Sequence, residues 1–122
     1  MARILVADDS APIRDLICMM LADAGHEARS VENAAEAVAT LERLPFDILL
    51  LDQNMPGLTG IETTAKLRAD PRYKTLKIVI LSADTRLTHG DASMIAGADA
   101  YLDKPLTVEK LNKTINAVLG AR

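Results

Sequence analysis

The chain has 122 residues, of which 49% are hydrophobic and 25% charged, and its formal net charge is −3. This size and balance predict one globular domain with its own core, and they argue against disordered, fibrous and coiled-coil proteins. The acidic balance, the three aromatic residues and the lack of a Lys/Arg cluster argue against nucleic-acid binding.

Membrane insertion and secretion are not expected either. The longest unbroken apolar run covers residues 16–22, whereas a membrane-spanning helix needs about 20 residues. The apolar segment at residues 4–7 is too short for the core of a signal peptide. The single cysteine, Cys18, cannot form an internal disulfide, which fits a reducing compartment. We therefore expect a soluble, cytoplasmic protein with no membrane contact.

Short apolar segments alternate with helical patterns along the chain. The predicted strands cover residues 4–7, 28–31, 48–51, 78–81 and 100–102. The third and fourth are apolar throughout, as in parallel strands that are buried on both faces.

A helical pattern follows each predicted strand. The residues expected on the buried faces of the first, second and last helices are Ile13, Leu16, Ile17, Met20, Leu21 and Ala24; Ala34, Val38 and Leu41; and Val108, Leu111, Ile115 and Val118. The fourth predicted helix, residues 88–96, has a thin apolar face and is interrupted by Gly90 and Asp91.

Capping residues mark the ends of several predicted helices. Asn33 with Glu36, and Thr59 with Glu62, have the spacing of a capping box. Three glycines each follow a helical stretch, where a left-handed residue can end the helix: Gly25, Gly97 and Gly120. Five strand–helix units with short connections predict a single α/β domain over residues 1–122, with a parallel sheet between layers of helices.

Polar side chains follow four of the five predicted strands. Asp8 and Asp9 come after the first strand, Asp52 after the third, Ser82 after the fourth and Lys104 after the fifth. Ligands of an open parallel sheet bind beyond the carboxyl ends of its strands. If the first and third strands are neighbours, three carboxylates, a hydroxyl and a lysine meet at this edge.

Three carboxylates this close together would repel one another unless a cation lay between them. Carboxylate and carbonyl oxygens select Mg²⁺ or Mn²⁺, and the two histidines, His26 and His89, lie outside this set and are expected to face solvent. A Mg²⁺ ion beside a carboxylate, a lysine and a hydroxyl is typical of phosphoryl transfer. In such a site an aspartate can act as the nucleophile and form an aspartyl phosphate.

Five segments of the chain resemble the receiver domain of bacterial two-component response regulators. They are DDS at residues 8–10, DQNMPGLTG at 52–60, SA at 82–83, GADAYL at 97–102 and KP at 104–105. The likeness extends from about residue 3 to residue 119. It implies a flavodoxin-like fold, with a five-stranded parallel sheet in the order 2-1-3-4-5 and helices on both faces.

The resemblance also implies a role for each residue of the acidic site. Asp52 matches the phosphoacceptor, and Asp9 matches the aspartate that binds Mg²⁺ directly. Asp8 matches the second acid, which acts through a metal-bound water. Asn54 matches the position whose backbone carbonyl completes the metal site. Gln53 is polar where the family usually has a hydrophobic or small residue, and it can face the strand-end edge.

The remaining matches concern the phosphoryl group and the switch. Ser82 matches the switch hydroxyl, and Lys104 matches the lysine that pairs with the phosphoryl group. Pro105 matches a proline that usually follows a cis peptide bond, and Tyr101 matches an aromatic residue that changes rotamer on activation.

The implied function is a phosphorylation-controlled signalling switch. A histidine kinase or phosphotransfer protein would phosphorylate Asp52 with Mg²⁺, and the domain would then change its binding to a downstream protein or dimerise. The binding face would comprise the fourth predicted helix, the fifth strand and the fifth predicted helix. Such a domain catalyses its own phosphorylation and slow hydrolysis, so calling it an enzyme is a matter of definition.

Several alternatives stay open at this point. The chain could be a passive phosphorelay intermediate or phosphate sink, or the receiver module of a larger hybrid kinase or transcription regulator. A haloacid-dehalogenase-type phosphatase would need a second acid where Asn54 stands. A flavodoxin-like mononucleotide carrier would need phosphate-binding donors where Asp8 and Asp9 would repel a phosphate.

Overall fold

The computed structural model describes residues 1–83 and 96–120. The five strands are β1 (Arg3–Ala7), β2 (Glu27–Val31), β3 (Ile48–Asp52), β4 (Lys77–Ser82) and β5 (Ala100–Asp103). The helices are α1 (Ala11–Asp23), α2 (Ala34–Arg43), α3 (Gly60–Arg68) and the C-terminal helix (Val108–Gly120), with a short 3₁₀ turn at Pro71–Tyr73. All five predicted strands are confirmed. The fourth predicted helix, except for its last residue, and His89 lie outside the described residues.

The strands form one parallel sheet in the order β2-β1-β3-β4-β5. The order that the resemblance implied is therefore confirmed. β1 and β3 are direct neighbours, with Ala7 in register with Leu51. The carboxyl ends of these two strands consequently lie side by side.

Two apolar cores cover the two faces of the sheet. On one face, Val6, Leu50 and Leu81 pack with side chains of α1 and the C-terminal helix. On the other, Leu5 and Leu51 pack with side chains of α2 and α3. The sheet is therefore covered by helices on both faces, as predicted.

The buried stripes of α1 and the C-terminal helix are narrower than predicted. Ile13 and Leu16 are 37% and 47% exposed, and Ala24 is also exposed. The two helices share one face of the sheet, so each buries only the residues that point directly at it. Val108 is 51% exposed because it begins its helix, before the part that crosses the sheet.

The caps are confirmed in part. Thr59 and Glu62 form a complete capping box at the start of α3. Asn33 accepts a hydrogen bond from the Glu36 N–H (2.8 Å) at the start of α2. The Glu36 side chain, however, accepts from the N–H of Glu32 (3.2 Å) instead of returning to Asn33, so this second box is incomplete.

Two of the three predicted helix-ending glycines are left-handed. Gly25 and Gly97 have φ values of 90° and 99°. Gly120 is instead the last residue of the C-terminal helix and has no positive φ, so its predicted role was wrong.

His26 is half-buried, which corrects the expectation that it faces solvent. Its Nδ1 accepts a hydrogen bond of 2.9 Å from the Ala2 N–H. Ala2 is buried just before an inner strand, so this N–H needs an acceptor from the protein. Within the described part of the chain, no helix is long and apolar enough to cross a membrane.

Candidate functional site

Three carboxylates meet where β1 and β3 end. One oxygen each from Asp8, Asp9 and Asp52 lies within 4.8 Å of the others. Asp8 and Asp52 are buried, with 1% and 3% of their surface exposed, whereas Asp9 is exposed. Hard oxygen donors at this spacing, with one side open to solvent, fit a divalent cation such as Mg²⁺.

Backbone and side-chain hydrogen bonds hold Asp8 in place. Its Oδ1 accepts from the Ser10 N–H (2.9 Å), and Arg14 Nη1 donates to the Asp8 carbonyl oxygen (2.8 Å). Sequence reasoning missed the role of Arg14. A basic residue in the first turn of a helix interacts unfavourably with the helix dipole. This unfavourable position was the one feature of the sequence that could have indicated a specific role for Arg14.

Lys104, which directly follows β5, lies beside the acidic cluster of Asp8, Asp9 and Asp52. Its Nζ lies 3.0 Å from Asp52 Oδ1 and 3.4 Å from Asp8 Oδ2. Burial disfavours the charged ammonium, but the hydrogen bond to Asp52 and the charges of Asp52 and Asp8 outweigh it and raise the pKa of Lys104. Lys104 is therefore a fixed cation at this site. The predicted cis peptide bond between Lys104 and Pro105 is present.

The pKa of Asp52 is raised above its usual range. Burial is the largest cause, and the negative charge of Asp8 adds to it. Hydrogen bonds from Lys104 and from the Asn54 backbone N–H oppose the shift without cancelling it. Burial, with a smaller contribution from Asp8, therefore disfavours the ionised form of Asp52 despite the nearby Lys104.

Ser82 and Tyr101 lie on the two strands beyond Asp52. Asp52 is in register with Leu81, so Ser82 is one residue further along the neighbouring strand, and its side chain is 1% exposed. Tyr101 is half-buried on β5 and in register with Ile80. Asp52, Ser82 and Tyr101 therefore lie on three consecutive strands of the sheet, β3, β4 and β5.

Gln53, just after β3, contacts the start of α3. Its Oε1 accepts from the Ile61 N–H (2.8 Å), and its carbonyl oxygen accepts from the Gly60 N–H (3.1 Å). A Cβ atom at Gly60 would lie 2.9 Å from the Asp52 carbonyl oxygen. Gln53 thus satisfies unpaired N–H groups of α3 and holds this helix directly against Asp52.

The far end of α3 is held to the start of β5, a contact that the sequence did not reveal. Arg68 Nε donates to the Gly97 carbonyl oxygen (2.8 Å), and its Nη1 donates to that of Tyr73 (2.7 Å). Its Nη2 pairs with Asp99 Oδ2 (2.7 Å), which also accepts from the Ile78 N–H (2.8 Å). Arg68 therefore joins α3, the 3₁₀ turn, β4 and the segment before β5.

Comparison with known proteins places this arrangement in a family. The family model for the response regulator receiver domain matches residues 4–116. Protein PilH of Pseudomonas aeruginosa is 37% identical over 120 residues, which are 98% of this chain and 99% of that protein.

Solved structures agree with this match. The chemotaxis response regulator CheY4 of Vibrio cholerae superposes with a TM-score of 0.90 at 35% identity, covering 97% of this chain and 98% of that one. The response regulator TrrA of Thermotoga maritima, solved in complex with Mg²⁺–BeF, superposes with a TM-score of 0.85 at 32% identity, covering 97% and 99%.

Proposed function

The chain belongs to the family of response regulator receiver domains of two-component systems, and we propose that Asp52 is its phosphoacceptor. The observation that carries the proposal is the position of the Asp52 carboxylate. It is buried at the end of β3, clustered with Asp8 and Asp9, and paired with the Lys104 ammonium at 3.0 Å. A haloacid-dehalogenase-type phosphatase and a mononucleotide carrier are not favoured.

The chemistry is a transfer of one phosphoryl group. A carboxylate oxygen of Asp52 forms a bond to phosphorus while the bond between phosphorus and the donor's histidine nitrogen breaks, and the histidine leaves with the electron pair. Lys104 neutralises charge on the phosphoryl oxygens, and Ser82 donates a hydrogen bond to one of them. A receiver domain implies a histidine kinase or phosphotransfer protein as the donor.

Mg²⁺ would be held by Asp8, Asp9 and Asp52 and by the backbone carbonyl of Asn54, with Asp9 as a direct ligand and Asp8 acting through water. When bound, the ion supplies positive charge that offsets the phosphoryl oxygens and the clustered carboxylates. Mn²⁺, which also prefers oxygen ligands, can replace it. The Mg²⁺–BeF complex of the Thermotoga relative supports this assignment.

Phosphorylation would change Tyr101 and a binding face formed by β5, the C-terminal helix and the fourth predicted helix. Except for its last residue, that helix lies outside the described residues. This face would bind the downstream protein or a second phosphorylated copy. We further propose that residues 1–122 act as one receiver domain in the cytoplasm, without nucleic-acid or membrane contacts of their own. A passive relay or sink is the alternative.

Phosphorylation with acetyl phosphate and Mg²⁺ tests the acceptor. Intact-mass spectrometry should show one added phosphoryl group that hydroxylamine removes. Asp52→Asn should not gain it, whereas Asp23→Asn, a control at an exposed carboxylate of α1, should gain it like the wild type. Stable phosphate on Ser82 or on a histidine would refute the assignment.

A further inference from the structure

Gln53 forms three hydrogen bonds just beyond the end of β3. Its N–H donates to the Leu81 carbonyl oxygen on β4 (2.8 Å), and its carbonyl oxygen accepts from the Gly60 N–H (3.1 Å). Its side-chain Oε1 accepts from the Ile61 N–H (2.8 Å). Any residue other than proline can form the two backbone bonds, but the third bond requires an acceptor in the side chain.

The bond to Ile61 satisfies a donor at the start of α3. The first N–H groups of a helix have no acceptor within the helix itself. The hydroxyl of Thr59, which caps α3, accepts from the Glu62 N–H (3.1 Å). The acceptor for the Ile61 N–H comes from Gln53, in a partly buried position. An apolar side chain in place of Gln53 would leave this N–H without that acceptor.

The start of α3 lies against the end of β3, and this contact closes the loop of residues 54–59. A Cβ atom at Gly60 would lie 2.9 Å from the Asp52 carbonyl oxygen, so there is no free space between the helix and the strand end. Within the loop, Met55 is buried whereas Asn54 is exposed. The position of the Asn54 backbone therefore depends on how firmly the two ends of the loop are joined.

Asn54 is the loop residue next to the acidic cluster. Its backbone N–H donates to the Asp52 carboxylate, and under the proposed function its carbonyl oxygen would bind Mg²⁺. Mg²⁺ requires nearly ideal octahedral geometry, so its ligands have to be held at fixed positions. A loosely joined loop would lower the affinity, because Mg²⁺ binding would then also have to order the Asn54 backbone.

We propose that Gln53 is a positioning residue for the Mg²⁺ site and acts through the loop that it closes. This inference rests on the proposed function. By binding the Ile61 N–H, the Gln53 side chain joins the end of β3 to the start of α3. It thereby fixes both ends of the loop of residues 54–59 and, with them, the carbonyl group of Asn54.

A Mg²⁺ titration followed by amide NMR shifts, at a temperature where every variant is folded, tests this inference. Gln53→Leu places an apolar side chain without an acceptor at this position. We expect it to bind Mg²⁺ about 2- to 10-fold more weakly than the wild type, the factor for one hydrogen bond of ordinary strength. Gln53→Glu keeps an acceptor for the Ile61 N–H and should bind Mg²⁺ at least as tightly as the wild type.

Two further measurements separate positioning from a loss of stability. Hydrogen exchange of the Ile61 amide should be faster in Gln53→Leu and close to the wild-type rate in Gln53→Glu. Arg68→Lys is the matched control, because it disturbs hydrogen bonds at the far end of the same helix. It should lower the stability of the protein without changing the Mg²⁺ affinity.

The other outcomes each overturn a specific claim. Equal Mg²⁺ affinities of Gln53→Leu and the wild type overturn the inference, and so does a Gln53→Glu affinity as low as that of Gln53→Leu. A similar loss of affinity in Arg68→Lys also overturns it, because the loss would then follow stability alone. A wild-type protein that binds no Mg²⁺ at all overturns the proposed metal site instead.

Discussion

Lys104 Nζ lies 3.0 Å from Asp52 Oδ1 although their strands, β5 and β3, are separated in the sheet by β4. The lysine side chain therefore reaches across the end of one strand to contact the carboxylate. A group added to Asp52 would change what Lys104 contacts, and Lys104 directly follows β5. This contact links the proposed acceptor to the strand that carries Tyr101.

Replacement of this lysine should separate phosphorylation from signalling. Arginine has a planar fork with a different reach and cannot place one compact charge at the same point. We expect Lys104→Arg to accept a phosphoryl group, seen by intact mass, but to shift the NMR signal of Tyr101 much less than the wild type. Full partner binding or a full Tyr101 shift would show that the lysine has no switching role.

Mg²⁺ should stabilise the folded protein, because it relieves carboxylate repulsion and binds only the native cluster. Asp9 is exposed, so Asp9→Ala should change the melting temperature little without metal but remove most of the Mg²⁺-dependent increase. Asp8→Ala should weaken Mg²⁺ binding less.

The metal-free state separates these two variants further. Asp8→Ala should lower the melting temperature even without Mg²⁺, because the Ser10 N–H loses its acceptor and Lys104 loses a partner. Thermal unfolding with chelator and with excess Mg²⁺ measures both effects, and Asp23→Asn is the control. Equal loss of Mg²⁺ binding in the two variants would contradict the assignment of Asp9 as the direct ligand.

The raised pKa of Asp52 predicts a pH-dependent effect of removing its charge. Since burial raises this pKa in the folded state, ionised Asp52 lowers the free energy of unfolding at pH values above its ordinary pKa of about 3.9. This loss of unfolding free energy disappears as the pH falls and the Asp52 carboxyl group binds a proton.

With a chelator present, Asp52→Asn should therefore have a higher melting temperature than the wild type at neutral pH. This difference in melting temperature should shrink towards pH 4. With Mg²⁺ the gain should vanish or reverse, since the variant lacks a ligand. A metal-free variant that is less stable than the wild type at neutral pH would contradict the prediction.

The Arg68 contacts should contribute measurably to stability. Lysine cannot reproduce three directed hydrogen bonds to Gly97, Tyr73 and Asp99. Arg68→Lys should lower the free energy of unfolding in urea by about 1–3 kcal/mol. Arg29→Lys, on an exposed residue of the edge strand β2, is the matched control and should have no such effect.

Ser82→Ala should keep phosphorylation of Asp52 and reduce its distant consequences. The hydroxyl is expected to move towards the phosphoryl group and vacate space that Tyr101 can enter, which is a local two-state change. With beryllofluoride and Mg²⁺, NMR shifts in the wild type should extend from the site to Tyr101 and beyond, and they should shrink in the variant. Shifts confined to the strand-end loops of the wild type would favour a passive relay or sink.

Local features of this chain could be predicted from the sequence because they depend on nearby residues. The apolar segment at residues 48–51 became β3, as expected of a short, continuous apolar run between polar segments, which fits a parallel strand that is buried on both faces. Thr59 and Glu62 form their capping box within one helical turn. The polar residues after the strands were candidates because parallel strands present their carboxyl ends at one edge.

The register of the strands and the partners of long side chains were decided only by the tertiary structure. Periodicity did not determine which strands are neighbours, and it could not show that Ile13 stays exposed while Ile17 is buried. Arg68 and Asp99 are 31 residues apart in the chain. Asp103 is in register with Ser82 only because β4 and β5 pair at that offset. These relationships depend on strand order, register and side-chain reach, which arise when distant segments pack together, so no local pattern in the sequence encodes them.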